Sequence, residues 1–228
     1  MDKVLKIAHR GASGHEPENT LAAISKALEI GVDIIELDVR ACKTGELVAF
    51  HDMTLERTTN GSGLVADTSL EDLKKLDAGS GERIPTLEEA IDLIDKRTIL
   101  NIEMKGKGVA DRLATILRGY IENKVYPPEL FIVTSFDKEE FHQFSLKNPG
   151  VRLSILVGRD ILSASSRGRK YGAYSIHLPQ PYMRKWLVRF FHKRGFRVFI
   201  YALNSIWDIA RAKIMEVDGI FSDYPDRV

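Results

Sequence analysis

A (β/α)8 TIM barrel with a small insertion after its second strand is the architecture this sequence is expected to adopt. Short apolar, strand-like runs keep alternating with amphipathic helical patterns, as in a parallel sheet built from βα units. Eight such strands can be counted, the number that closes a barrel, in a chain of 228 residues where ~250 is typical. Two of the strands interleave acidic side chains with Ile, Leu and Val, so that their polar groups gather on one face.

The first strand is expected at 6–10. A helix over 19–30 follows, with Leu21, Ile24, Ala27 and Leu28 at helical spacing, Asn19 as its cap and Gly31 as its terminator. The second strand spans 34–40. The βα rhythm then breaks from 41 to 85, where no strong helical pattern appears. There CKTGELVAFHD reads as a turn at Thr44-Gly45 and a short strand folding back on 34–40, and TTNGSGLV reads as a Gly-rich loop. A span this long in a compact domain carries function or a small subdomain, so it is taken as an insertion over the active face. Thr86 and Glu89 form a capping box for LEEAIDLIDK. The remaining strands are expected at 99–104, 130–135, 152–157, 174–178, 197–202 and 219–222, with helices at 111–121, 137–146, 183–193 and 205–215. No linker or low-complexity run divides the chain, which is read as one domain over 1–228.

Composition narrows the function classes. Lys and Arg total 33 against 32 Asp and Glu, a formal charge of +1 that gives no broad footprint for nucleic acid or anionic membrane. The single cysteine, Cys42, excludes an internal disulfide framework and a Cys-based zinc site. Eight residues precede His9, and no apolar run approaches the ~20 residues needed to cross a bilayer. The expectation is a soluble cytoplasmic protein made without a signal peptide and without membrane insertion. Charged residues make up 29% of the chain and Gln occurs only at 143 and 180, a bias found in heat-adapted proteins.

The chemistry is sought where strands end. In Ile35-Glu36-Leu37-Asp38-Val39 the two carboxylates share a face, and in Asn101-Ile102-Glu103-Met104-Lys105 a third can join them. Ion pairing to Arg40 or Lys105 would account for each acid singly. Three converging acids repel unless a cation sits among them, and a hard, oxygen-preferring dication is the simplest answer. Mg²⁺ or Ca²⁺ suits an all-oxygen shell, with Mn²⁺ a further candidate. Such a site keeps a net charge near −1, while Arg10 and Lys105 add two positive charges that can receive a singly charged phosphodiester. His9 and His51 then divide the proton work, either one as acid and the other as base. Taken alone, His9 reads as a core histidine and His51-Asp52 as the start of a turn; the combination gives them meaning.

At this point the sequence resembles the glycerophosphodiester phosphodiesterase family. The resemblance runs through His9-Arg10-Gly11, Pro17-Glu18-Asn19-Thr20, Glu36-Leu37-Asp38-Val39, His51-Asp52, Arg57-Thr58-Thr59-Asn60-Gly61, Asn101 to Lys105, Ser135-Phe136 and Asp218 to Pro225, nearly the whole chain. It implies a (β/α)8 barrel with 41–85 as the family's insertion. It further implies Glu36, Asp38 and Glu103 as metal ligands, His9 and His51 as the acid/base pair, and Arg10 and Lys105 as phosphate-binding residues. The implied reaction is hydrolysis of glycerophosphodiesters, such as glycerophosphocholine or glycerophosphoethanolamine, to sn-glycerol 3-phosphate and an alcohol. The sequence departs from the family where Tyr201 stands in place of a frequent Trp, making Tyr201 an altered aromatic wall for the substrate, and where His177 replaces a smaller polar residue. His15, His142 and His192 match no family motif and are read as surface or packing residues.

Two other readings follow from the same residues. A phospholipase-type enzyme acting on lysophospholipids would carry an exposed apolar rim; Trp186-Leu187 and Phe190-Phe191 are the nearest candidates, and their helical spacing points instead to core packing. A non-catalytic barrel binding phosphoryl ligands would have no need for a proton-transfer pair.

Overall fold

A computed structural model describes residues 3–228. In chain order the elements are β1 (Leu5–Ala8), α1 (Leu21–Ile30), β2 (Ile34–Ala41), β3 (Leu47–Ala49), α2 (Leu70–Lys75), α3 (Leu87–Ile94), β4 (Ile99–Met104), α4 (Ala110–Asn123), β5 (Phe131–Ser135), α5 (Lys138–Lys147), β6 (Arg152–Leu156), α6 (Ala164–Tyr171), β7 (Ser175–Pro179), α7 (Lys185–His192), β8 (Arg197–Tyr201), α8 (Ile206–Ile214) and β9 (Gly219–Ser222). The strands run β1-β9-β8-β7-β6-β5-β4-β2, and a β1–β2 pairing closes the ring. Every pairing in that ring is parallel. The TIM barrel expected from the βα rhythm is therefore formed. β3 lies outside it, antiparallel to β2 with Ala49 opposite Val39, as the turn at Thr44-Gly45 implied.

The period of two sorts the strands. Ile35, Leu37 and Val39 of β2, with Leu100, Ile102 and Met104 of β4, belong to the large core between the ring and its helices. The opposite faces of these strands point into the barrel. Ile7, Ile34, Ile132, Phe199 and Phe221 pack there as an apolar plug. Glu36 and Asp38 follow Ile34 along β2, so they lie above this plug toward the C-terminal ends of the strands. His177 is fully buried in the same interior, its ring stacked 5.1 Å from Phe199 and its Nε2 hydrogen-bonded to Ser175 Oγ at 2.9 Å. Burial lowers its pKa to about 3, so it is a neutral part of the packing.

Several local expectations need correction. β1 stops at Ala8 rather than residue 10, because Arg10 (φ 58°) and Gly11 (φ 77°) enter the left-handed region and turn the chain across the barrel rim. Thr20, not Asn19, caps α1: its hydroxyl accepts from Ala23 N at 3.2 Å, while Asn19 (φ 58°) is drawn to β2. Gly31 ends α1 in the left-handed conformation, and the Thr86/Glu89 capping box starts α3, both as expected. α6 was not expected, since its ASSRGRKY sequence has almost no apolar stripe. Its Gly168 packs on the Phe196 ring, which a Cβ would approach to 2.7 Å. On α7, Leu187 and Phe191 are buried as expected, but Trp186 on its outer flank is 68% exposed.

Between β2 and α3 the chain builds a small core of its own from Cys42, Val48, Phe50, Leu55, Val65 and Leu73. It also forms the short α2, capped by Ser69, which the sequence pattern does not announce. No helix among the described residues is long and apolar enough to cross a membrane. His15 pairs with Asp226 and His192 with Asp218, each at 2.7 Å, and His142 lies against Tyr171, in keeping with surface or packing roles.

Gly11 tests the rim geometry. A Cβ there would lie 2.7 Å from the Ala23 backbone carbon and Cβ on α1, at a φ that side chains resist. Gly11→Ala is expected to cost ~2–4 kcal/mol, read from the urea unfolding midpoint.

Candidate functional site

Parallel register places the site. Asp38 sits opposite Glu103 and Glu36 opposite Asn101 on the paired strands β2 and β4, so alternation alone brings three carboxylates to one end of the barrel. Glu36, Asp38 and Glu103 each offer an oxygen within 4.8 Å of the others. All three are nearly inaccessible, at 2%, 1% and 9% exposure.

Their surroundings compensate the charge unevenly. Asp38 is the best held: Lys105 Nζ lies 3.2 Å from its Oδ1 and Arg10 Nε 3.2 Å from its Oδ2. Asn19 clasps the same residue, donating Nδ2 to Oδ2 at 3.1 Å and accepting from Asp38 N at 3.1 Å. Burial pushes the Asp38 carboxyl up, but Lys105 and Arg10 outweigh it and hold the group below the usual range. Glu36 receives the Arg10 backbone N–H at 2.8 Å, a bond made by the left-handed turn after β1. Burial, and then the Asp38 charge, raise Glu36 to about 8. Glu103 pairs with Lys105 and is also raised, first by burial and then by Asp38. The expected ion pair to Lys105 therefore exists, whereas Arg40 donates Nε to His51 O at 2.9 Å.

The donor set fits a hard dication. Oxygens separated by at most 4.8 Å can share one ion whose ligand distances are about 2.0–2.6 Å. Glu36 and Glu103 are both raised, Glu103 sharing its one lysine with Asp38, and the buried Asn101 Oδ1 beside Glu36 in the register has no hydrogen-bond partner. These residues could bind a metal ion, and a positive charge among them would satisfy what the protein leaves unpaired.

Both expected histidines reach this rim, each with Nδ1 engaged by a carboxylate. His9 Nδ1 lies 2.7 Å from Asp223 Oδ1, and His51 Nδ1 lies 2.5 Å from Asp52 Oδ1. Asp223 is itself fixed by Asn204 Nδ2 at 2.6 Å and Ser13 Oγ at 3.1 Å. Burial raises the Asp223 carboxyl, but the bond to His9 brings it down to about 2. Burial works against a charged His9, yet Asp223 and Glu36 raise it above the ordinary imidazole value; burial leaves His51 below that value. With each Nδ1 occupied, Nε2 is the nitrogen left for proton transfer. Tyr201 closes another side: its hydroxyl donates to Val157 O at 2.8 Å, and its ring meets Phe136 edge-on at 6.4 Å. Phe136 in turn lies 5.7 Å from Lys105 Nζ.

The structure thus brings together His9, Arg10, Glu36, Asp38, His51, Glu103 and Lys105, with Tyr201 as a wall. Sequence reasoning gave no part in the site to Asp223, Asn204, Asn19, Glu18, Asp52 or Arg57, reading Asn19 only as a helix cap and Asp52 only as the start of a turn. Most of these sit inside the motifs PENT, HD, RTTNG and SDYP, but a motif states neither the partner nor the distance. Asn204, in the loop after β8, had no such signal.

Comparison with known proteins gives a consistent result. The model of the Glycerophosphoryl diester phosphodiesterase family matches residues 9–227. The glycerophosphodiester phosphodiesterase of Caldanaerobacter subterraneus subsp. tengcongensis is 37% identical, covering 98% of this chain and 96% of that protein. Among solved structures, an Oleispira antarctica phosphodiesterase in complex with the product sn-glycerol-3-phosphate superposes with a TM-score of 0.89 at 31% identity, over 97% of this chain and 93% of that one. The glycerophosphodiester phosphodiesterase of Agrobacterium tumefaciens superposes with a TM-score of 0.85 at 30% identity, over 100% and 98%.

Glu36 supplies a pH test on the metal-free protein. Its folded-state value of about 8 exceeds the ordinary 4.5, so between these values the folded chain binds more protons than the unfolded one. This stabilising contribution is complete below about 4.5 and is lost as pH rises through about 8. Melting curves in chelator across that range are expected to fall with pH for the parent and to be flatter for Glu36→Gln.

Proposed function

The chain belongs to the glycerophosphoryl diester phosphodiesterase family, and on that premise we propose that it hydrolyses glycerophosphodiesters to sn-glycerol 3-phosphate and an alcohol, with a divalent cation at Glu36, Asp38 and Glu103. The observation that carries this reading is the buried acid triad flanked by Arg10, Lys105 and two carboxylate-backed histidines. Mg²⁺ or Ca²⁺ fits the all-oxygen donor set, and Mn²⁺ is the next candidate. When bound, the cation supplies Lewis-acid polarisation at phosphorus and at the attacking hydroxyl.

The protein's own groups do the rest. Arg10 and Lys105 bind the diester phosphate and offset charge building on its oxygens. Their contacts to Asp38 hold both side chains at the rim before substrate arrives, so little side-chain freedom is left to lose. One histidine takes the proton of the attacking glycerol hydroxyl at Nε2, the other delivers a proton to the departing alkoxide as its P–O bond breaks, and water then opens the resulting cyclic phosphate to sn-glycerol 3-phosphate. Asp223 and Asp52 keep the two rings oriented for this exchange. Tyr201 and Phe136 form an aromatic wall for the alcohol portion of the substrate.

A second reading is favoured by one observation. Phe136, Leu162, Trp186 and Trp207 are exposed, and all lie in loops or first helical turns that follow strand C-termini. An apolar rim of this kind suits a lysophospholipid substrate. Comparing turnover of water-soluble diesters with that of lysophosphatidylcholine in vesicles separates the two readings.

A panel of glycerophosphodiesters assayed with Mg²⁺, Ca²⁺ and Mn²⁺, with released glycerol 3-phosphate as readout, tests the reaction. His9→Ala and His51→Ala are each expected to lose ~10²–10⁴-fold in kcat with metal affinity retained. Glu103→Gln is expected to lose metal affinity and activity together. Undiminished turnover in EDTA, or in either histidine variant, would overturn the assignment.

A further inference from the structure

The insertion contributes a side chain that links both halves of the proposed machinery. Arg57 donates Nη1 to Glu18 Oε2 and Nη2 to Glu18 Oε1, both at 2.8 Å. Along its other edge it donates Nε to Asp52 Oδ2 at 2.5 Å and Nη2 to Asp52 Oδ1 at 3.1 Å. One planar guanidinium therefore holds two carboxylates, a geometry that a point-charge ammonium cannot reproduce. Each carboxylate has a second client. Glu18 Oε1 accepts from Arg10 Nη1 at 2.8 Å, and Asp52 Oδ1 meets His51 Nδ1 at 2.5 Å. The chain Arg10–Glu18–Arg57–Asp52–His51 thus runs from the β1–α1 loop into the insertion.

Arg57 is also well founded. Leu55, two residues earlier, is buried in the insertion core, and its carbonyl accepts from both Thr59 N (3.1 Å) and Thr59 Oγ1 (2.7 Å), closing the turn that presents Arg57. The other histidine is supported differently: Asp223 behind His9 is fixed by Asn204 and Ser13, neutral groups outside the insertion. Asp52 draws its side-chain support, apart from His51, from Arg57 alone among the described residues.

We propose that Arg57 is a positioning residue for diester hydrolysis, fixing the His51 ring through Asp52 and the Arg10 guanidinium through Glu18. This rests on the hydrolytic reading above for its consequence but not for its geometry. Partners that orient metal ligands are worth about 10–100-fold in activity, and a loss on the same scale is expected for this positioning network. The two arms separate: Asp52→Asn is expected to lower kcat with little change in KM, Glu18→Gln to raise KM with little change in kcat, and Arg57→Gln to do both. Arg57→Lys, which keeps the charge but not the fork, is expected to restore less than half of the loss.

The deciding measurement is the imidazole tautomer by ¹⁵N-detected NMR on the Mg²⁺-supplemented protein, which requires no turnover. The parent is expected to hold the His51 proton on Nδ1, and Arg57→Gln to shift His51 toward a mixed population while the His9 signal stays fixed. That unchanged His9 signal also certifies the fold; should Arg57→Gln disturb it, Arg57→Lys and Asp52→Asn carry the same readout. A His51 tautomer and kinetic constants within twofold of the parent in these variants would overturn the proposal. A tautomer shift in a protein that cleaves no glycerophosphodiester would instead leave the positioning role standing and sink the hydrolytic reading.

Discussion

Three carboxylates buried at one rim of a barrel, with too few positive charges to neutralise them, set the terms for everything around them. In a medium poorer than water at screening charge, Glu36, Asp38 and Glu103 cannot all ionise at low cost, and the raised Glu36 and Glu103 show where the deficit falls. Asp38 is spared because Lys105 and Arg10 flank it and Asn19 donates a further hydrogen bond to its Oδ2. The pocket is thus partly compensated: anionic at its centre, where the three acids could hold a cation, and cationic at its edge, where Arg10 and Lys105 lie.

That constraint explains otherwise odd backbone. Arg10 and Asn19 both adopt positive φ, which costs a non-glycine residue free energy. In return the Arg10 N–H reaches Glu36 and the Asn19 amide reaches Asp38. The loop between β1 and α1 is bent to serve β2, and Gly11 lets the chain pass close to α1 while doing so. Strain and site coincide here because the same turn supplies the donors.

The two histidines share a design, Nδ1 on a carboxylate, but draw on different parts of the fold. His9 and Asp223 flank the paired strands β1 and β9, so the barrel itself sets their separation. His51 and Asp52 follow β3, outside the ring, and Asp52 is held by Arg57, also of the insertion. The insertion therefore contributes to the same rim as the strands do, and its small core of Val48, Leu55 and Leu73 lies within the segment that carries His51.

Most of the barrel was legible in the sequence because periodicity is a local property: strands β2 and β4 reveal their inward acids by alternation, and α3 reveals its start by Thr86 and Glu89. α6 was illegible because its place is fixed by Gly168 against Phe196, a contact between distant residues. The same division holds for the site. Residue types and spacing determined that acids, histidines and cations would meet at strand ends, and resemblance assigned them a family. Only the tertiary structure decided that Asn19 serves Asp38 rather than α1, that Asp223 backs His9 across 214 positions of sequence, and that Arg57 joins Glu18 to Asp52. Those pairings depend on which strand lies beside which, and no local pattern encodes the closing of a ring.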